Sequence, residues 1–376
     1  MAEPGIKPMA VPGGQLFFAR LMRATAGFWE RLGNLESRVL RSETERVRIE
    51  KPIYVTGLAR SGTTILTELL AAHPDVTSLR YSDFPPAWTP YWWNALRAQL
   101  PLPKVAPAER SHRDRLRVTP ESPEAVEEVL WMHFFPGAHE PGAVHVLDES
   151  SENSRFERFY RQHLRKLLAV RKSSRYLAKG NYNLTRLAYL RKLFPDARFV
   201  VPLREPEWHI ASLMKQDRLF RGQHELNPKV TRYMQLLGHF EFGVHKHPIN
   251  VGDAGLAAEI ARLWDSDEAV RGWALYWQAL HEFLLKQLES DPELARACLL
   301  VPYEPLCGET EPWIERILEH AGLPAETFGE ARAEFATRLS LPDYYRPDFD
   351  DRERHIIEGL TGDIHRRLRA LAEAED

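Results

Sequence analysis

Cysteine is nearly missing from this chain. Cys298 and Cys307 are its only two, too few for a disulfide framework, and nothing resembles a zinc site; that usage fits a reducing, cytoplasmic setting. Long apolar runs are missing as well. No uninterrupted stretch reaches the roughly 18–20 residues needed to cross a bilayer. Residues 1–14, rich in Pro and Gly, lack the basic start and apolar centre of a signal peptide and read as a flexible tail. Neither sign of charge dominates: 50 Lys and Arg against 53 Asp and Glu leave a formal net charge of −3, which gives no global reason to expect nucleic acid as a partner. No repeat recurs at solenoid periods. What remains, with 44% hydrophobic and 27% charged residues over 376 positions, is an ordinary globular composition, long enough to bury one large core.

One further absence falls inside the most informative segment. Ile53-Tyr54-Val55 is followed by Gly57-Leu58-Ala59-Arg60-Ser61-Gly62-Thr63-Thr64 and then by Ile65-Leu66-Thr67-Glu68-Leu69-Leu70, which reads strand, glycine-bearing loop, helix. Such a loop gathers unpaired N–H groups at a helix N-terminus, where the macrodipole favours negative charge, and so makes a phosphate cradle. It differs from the triphosphate P-loop at one position: Thr63 stands where that motif needs its lysine. The nearby cation, Arg60, lies inside the loop. A cradle of this kind points away from kinases and ATPases.

Along the rest of the chain, residues 15–47 read as an amphipathic helix with Phe17, Leu21, Phe28 and Leu32 on one side and Arg20, Glu30 and Arg31 interspersed. That helix is expected to pack on the core or on a partner copy, with a membrane surface as the alternative. Residues 84–107 carry six prolines with Trp88, Tyr91, Trp92 and Trp93, too interrupted for regular structure. Ser122-Pro123-Glu124 opens a helix through Val126, Val129 and Leu130. A basic helix over 155–171 presents a solvated face. Strand 175–178, helix 183–194, strand 198–203 and helix 206–216 alternate as in a parallel α/β sheet, and strand 299–301 follows before further helices. Pro202 and Pro302 fit only at the C-terminal ends of their strands, where open α/β sheets bind ligands.

A second anion-binding element ends the strand Phe199–Leu203: Arg204, with Ser212 eight residues on. A guanidinium and a hydroxyl hold a phosphate well together, though an arginine ending a strand is commonly solvated or salt-bridged. Loop and pair together resemble the sulfotransferases that use 3′-phosphoadenosine-5′-phosphosulfate (PAPS), in the broad, largely bacterial branch with Arg-Ser-Gly-Thr-Thr. Ala72-His73-Pro74-Asp75-Val76, Leu193-Phe194-Pro195-Asp196-Ala197-Arg198-Phe199 and Val301-Pro302-Tyr303-Glu304 extend the resemblance over roughly residues 50–320. It implies an α/β, P-loop-like three-layer fold in one domain, with a central parallel sheet flanked by helices and helical additions over 15–49 and 321–376. It also implies that Arg60, Ser61, Gly62, Thr63 and Thr64 grip the 5′-phosphate and that Arg60 neutralises the leaving phosphate. Arg204 and Ser212 would take the 3′-phosphate. Tyr303 matches a cofactor-touching tyrosine in some members; a core tyrosine is the other reading. The family's C-terminal Gly-rich loop ending in lysine is missing, with Arg346 or Arg352 as candidate substitutes.

Transfer to a hydroxyl needs a proton acceptor. The histidine that serves the phenol and steroid branch is replaced in Lys179-Gly180-Asn181 by an amide, which takes no proton, so Lys179 keeps only a charge-stabilising role. The expected base is Asp83, the only carboxylate in the segment Thr77–Phe84 leaving the loop helix; its other reading is a loop or cap carboxylate paired with Arg80. The aromatic stretch 84–93 is expected to wall an acceptor pocket for a small-molecule, glycan or lipid acceptor, or else to be core packing. His224, His239, His245 and His247 complete no ligand set and read as loop histidines, and no metal is expected. A P-loop kinase and a catalytically silent nucleotide-binding module are the alternative functions.

Overall fold

Strand β1 (Ile53–Val55) is buried throughout, and its alternation divides the core. Ile53 and Val55 pack with Leu177, Val200 and Val301 on one face, while Tyr54 packs with Tyr176, Phe199 and Leu300 on the other. Apolar burial on both faces is what a parallel sheet sandwiched between helices requires. In this computed structural model residues 9, 11, 13–101, 105–110, 116–342 and 345–374 are described; most of the tail expected over 1–14 lies outside them.

The other strands are β2 (Val76–Ser78), β3 (Ala108–Glu109), β4 (Arg117–Val118), β5 (Arg175–Lys179), β6 (Arg198–Leu203) and β7 (Cys298–Pro302). β3 and β4 pair with each other antiparallel. The remaining five form one sheet in the order β2-β5-β1-β6-β7, and every pairing in it is parallel. The chain leaves central β1 toward one edge and later fills the other, so the loop after β1 sits where the strand order reverses. Pro202 lies one residue from the end of β6, beyond the last β1 partner Val200, and Pro302 ends β7. Both prolines therefore stand where the ladder opens. The protein has the α/β architecture expected, with a central parallel sheet flanked by helices.

Helices precede and follow the sheet: α1 (Gly13–Ala24), α2 (Ala26–Val39), α3 (Arg41–Thr44), α4 (Thr63–Ala71), α5 (Pro90–Arg97), α6 (Glu128–Phe134), α7 (Ser154–Arg171), α8 (Leu187–Leu193), α9 (Pro206–Leu226) and α10 (Pro228–Leu237), then several more up to Asp351–Glu373. None among the described residues is long and apolar enough to cross a membrane.

Several expectations are corrected. The single helix over 15–47 is three, and the side bearing Phe17, Leu21 and Phe28 does not pack on the core but is exposed. Inward-facing residues are Leu16, Ala19 and Met22 on α1 and Ala26, Glu30, Gly33 and Glu36 on α2. Small residues and buried ion pairs win there over bulk hydrophobicity. A Cβ on Gly33 would lie 2.6 Å from the Trp88 carbonyl, and Glu36 meets Lys166 at 2.7 Å with both side chains buried. The proline-rich stretch does form α5, because Pro90 occupies the first helical turn, where no N–H is needed. The helix expected from Pro123 begins only at Glu128; Pro123 instead bridges Arg80. On α7, Arg155 and Arg158 are solvated but Lys166 is buried and the Arg171 side chain is nearly so. The span 183–194 is a tight 3-10 turn, Asn181–Thr185, followed by α8.

Candidate active site

The loop between β1 and α4 is held by contacts no local pattern announces. Thr56 Oγ1 donates to the Gly180 carbonyl at 2.7 Å. His209 Nε2 donates to the Ala59 carbonyl at 2.8 Å, while its Nδ1 accepts from Trp277 Nε1 at 3.2 Å. Burial pushes the His209 imidazole well below its usual range, so it serves as a neutral strut. Arg60 adopts the left-handed conformation at φ 72°, and Gly62 caps α4 at φ 118°. A Cβ on Gly62 would fall 2.8 Å from Tyr303 Cδ2, so only glycine suits both that backbone and that contact. Beyond it, the first turn of α4 offers its N–H groups. Ser61 Oγ is buried without a hydrogen-bond partner among the described residues.

Arg204 follows β6 directly, and Ser212 lies on α9. The two anion-binding elements adjoin: Arg60 Nε donates to Ser212 Oγ at 3.3 Å, and Arg204 Nη1 donates to the Arg60 carbonyl at 3.2 Å. The Arg204 guanidinium also donates to the Tyr345 hydroxyl and stands 5.5 Å from the Tyr303 ring centre. Its Nε is buried and has no hydrogen-bond partner among the described residues. An orphaned hydroxyl and an orphaned guanidinium nitrogen beside a helix N-terminus suit an anion, because a buried polar group left unmatched is costly.

Much of this borders one cavity of about 1200 Å³, though the expected site residues Ser61 and Ser212 do not line it; it is larger than the ~300–1,000 Å³ usual for a single small ligand. Arg60, Gly62, Thr63, Thr64, Arg204 and Tyr303 line one part of it. Two cations that sequence reasoning missed join them, Arg110, which donates to Thr64 Oγ1 at 3.1 Å, and Arg338, paired with Glu68. Arg346 and Arg352, the expected substitutes, are exposed and do not line it.

Elsewhere in the cavity stand Lys179, Glu124, Tyr81, His239 and Glu241. Lys179 ends β5 beside β1, and its Nζ lies 3.5 Å from Glu124. Burial raises the Glu124 carboxyl, but Lys179, His239 and the Tyr81 hydroxyl outweigh it and hold the group well below the usual carboxylate range. His239 lies 3.6 Å from Glu241, which accepts from Asn181 at 3.1 Å. Burial lowers the His239 pKa, yet the contact with Glu241 prevails and raises it. Among the described residues no cluster of His, Cys, Asp and Glu could hold a metal ion.

Asp83 is placed differently from its expectation. It is 1% exposed and does not line the cavity. Both its oxygens accept from Arg171 Nη2, at 2.8 and 2.6 Å, and it also caps the Arg80 N–H and accepts from Asn94. Its carboxylate is taken up by structure, and the ionic partner is Arg171 rather than Arg80. The aromatic wall is corrected too: from 84–93 only Phe84 and Pro85 reach the cavity, and Trp88 is core. Glu124 escaped notice because its chain neighbours describe a helix start, whereas its role comes from packing against a strand 55 residues later.

A parallel sheet whose first crossover loop opens a helix N-terminus, with arginines converging on it and the Lys179–Glu124 pair in the same cavity, defines a P-loop-like class of fold. The family model described as "Sulfotransferase family" matches residues 52–247, just over half the chain, and the chain belongs to that family. No curated protein sequence matches it significantly. Among solved structures, the sulfotransferase STF9 from Mycobacterium avium aligns with a TM-score of 0.52 at 14% identity, covering 87% of this chain and 80% of that one; at that identity the likeness is one of fold. The sulfotransferase STF1 from Mycobacterium tuberculosis H37Rv aligns with a TM-score of 0.49 at 18% identity, over 92% of this chain and 91% of its own.

Proposed function

We propose that this sulfotransferase-family chain moves a sulfuryl group from PAPS to a hydroxyl or amine of a small-molecule, glycan or lipid acceptor. The observation that supports the reading is one cavity lined both by Arg60, Thr63, Thr64 and Arg204 and by the Lys179–Glu124 pair. Thr63, Thr64, Gly62 and Ser61 would hold the 5′-phosphate through loop N–H groups and hydroxyls, and Arg204 with Ser212 the 3′-phosphate. Bound there, the donor supplies an activated sulfuryl group. Arg60 would neutralise the charge left on the 5′-phosphate as the bond from sulfur to its oxygen breaks and that from sulfur to the acceptor oxygen forms.

Glu124 replaces Asp83 as the proposed base. It borders the cavity beside Lys179, and its carboxylate can accept the hydroxyl proton. Lys179 would balance charge on the sulfuryl oxygens and keep Glu124 ionised. The kinase alternative lacks the lysine that Thr63 replaces, and the Arg204–Ser212 pair has no use there.

The test is thermal shift with 3′-phosphoadenosine-5′-phosphate against ATP, followed by transfer of labelled sulfate from PAPS into a lysate. Stabilisation by the bisphosphate and a labelled product are expected. Stabilisation by ATP alone returns the reading to a kinase, and bisphosphate binding with no labelled product over a broad acceptor panel returns it to a silent module.

A further inference from the structure

The outward side of α1 and α2 has a composition that water-facing helices avoid. Phe17 and Phe18 are 61% and 53% exposed, Phe28 and Val39 59% and 62%, with Leu21 and Leu35 also exposed. On α2, positions 28, 35 and 39 fall within one narrow helical stripe, opposite the inward-facing Ala26, Glu30 and Gly33. Charge is sorted just as sharply. Residues 13–40 contain six charged side chains. The two acids, Glu30 and Glu36, are buried and neutralised inward by Arg155 and Lys166. The four arginines, Arg20, Arg23, Arg31 and Arg38, are all exposed, and none has a salt bridge among the described residues. Arg31 and Arg38 run along one edge of the apolar stripe of α2. Arg232 on α10 adds a fifth positive charge beside Arg23.

Soluble surfaces intersperse both signs and break up apolar patches. Apolar stripes edged only by arginine suit a surface that is apolar inside and negatively charged outside, the interface of an anionic lipid layer. A second copy is the poorer complement, because a twofold contact over this face would set four arginines against four. The patch also adjoins the cavity: Gln15 and Phe18 of α1 line it, together with Phe84, Tyr233, Met234 and Phe242.

We propose that α1 and α2 seat this protein on an anionic lipid surface, and that the acceptor is an amphiphile whose hydroxyl enters the cavity from that surface. The second half rests on the sulfotransferase reading; the first does not.

Co-sedimentation with phosphatidylglycerol vesicles, and with phosphatidylcholine vesicles as control, tests the docking. Binding to the anionic vesicles alone is expected, lost at about 1 M salt, where the Debye length is about 3 Å. Two double variants on α2 avoid the cavity lining. Arg31→Glu with Arg38→Glu should weaken binding at least 25-fold, at about fivefold per arginine, and Phe28→Ser with Leu35→Ser at least tenfold. Unchanged circular dichroism and unchanged stabilisation by 3′-phosphoadenosine-5′-phosphate show that both variants fold. Wild-type protein that ignores anionic vesicles, or variants that bind like wild type, overturns the docking. So does a dimer in light scattering that both variants convert to monomer, which assigns the face to a second copy. For the acceptor, label from PAPS should enter the organic extract of a lysate. Label confined to the aqueous phase overturns the amphiphile while the docking stands, and no label in either phase overturns the sulfotransferase reading and the amphiphile together.

Discussion

Exchanging the roles of two carboxylates gives the sharpest test of the site. Asp83 and Arg171 are buried together, their side chains 1% and 8% exposed, and the aspartate also accepts from Asn94 at 3.1 Å and caps the Arg80 N–H at 2.8 Å. Asp83→Asn keeps the shape but leaves a buried guanidinium facing an amide. Removing one partner of a buried ion pair costs about 3–5 kcal/mol. At roughly 2 °C per kcal/mol for a large domain, the melting temperature should fall about 6–10 °C. Turnover, measured well below the transition, should stay within about twofold. Glu124→Gln is expected to do the reverse. Its partner Lys179 borders the cavity, and the pair is 11% and 14% exposed, so melting should change less than for Asp83→Asn, while loss of the proton acceptor should lower turnover by about 10²–10⁴ with bisphosphate affinity preserved. The assay is initial-rate sulfate transfer alongside scanning calorimetry of both variants. An Asp83→Asn enzyme that melts like wild type but turns over a hundredfold slower would refute the assignment and restore Asp83 as base.

Arg204→Ala should weaken 3′-phosphoadenosine-5′-phosphate by about 10–100-fold, the worth of a charge-assisted contact, and leave ligands without the 3′-phosphate nearly unaffected; equal losses by calorimetric titration contradict the 3′-phosphate role. Gly62→Ala forces a Cβ to 2.8 Å from Tyr303 at φ 118°, so bisphosphate affinity should drop at least tenfold and recover only in part when Tyr303→Ala is added, since the backbone strain of about 1–3 kcal/mol stays. Glu127 is buried against Tyr176 and Tyr160, and burial pushes its carboxyl from 4.5 up to about 7. The native state thus holds a proton that the unfolded chain gives up, so stability falls as pH rises from 4.5 to about 7 and levels off above. Glu127→Gln should match wild type near pH 4 and exceed it near pH 8 by up to roughly 3 kcal/mol; equal pH profiles in thermal melts exclude this.

The parts of this protein that could be read in advance share one property: each is encoded within a single strand–turn–helix unit. Gly57 to Thr64 sits between an apolar triplet and an i, i+4 pattern, and Arg204 with Ser212 spans one turn from β6 into α9. The parallel sheet follows from the same alternation, and the positions of Pro202 and Pro302 followed from the missing N–H. What was misplaced depends on packing between distant segments. Asp83 stands at a plausible distance from the loop, but nothing near it announces that Arg171, the last residue of a helix read as solvated, would claim it. Glu124 and His239 meet Lys179 only because β5 lies beside β1. The N-terminal helices show the same limit in reverse. Hydrophobicity alone points their strongest apolar residues toward the core or a partner copy, yet Gly33, Glu30 and Glu36 face the core through close approach and paired charge. Two buried glutamates matched by Arg155 and Lys166 fix which way α2 turns. The aromatic side chains are then left outside with the arginines, so the outward apolar stripe is a consequence of those ion pairs. Replacing Glu36 and Lys166 together with leucine and methionine removes the charge that sets this orientation, and it should lower anionic-vesicle binding by letting α2 rotate. Unchanged vesicle binding in that double variant would show that the Glu30–Arg155 pair and the close contact at Gly33 suffice to set the orientation of α2.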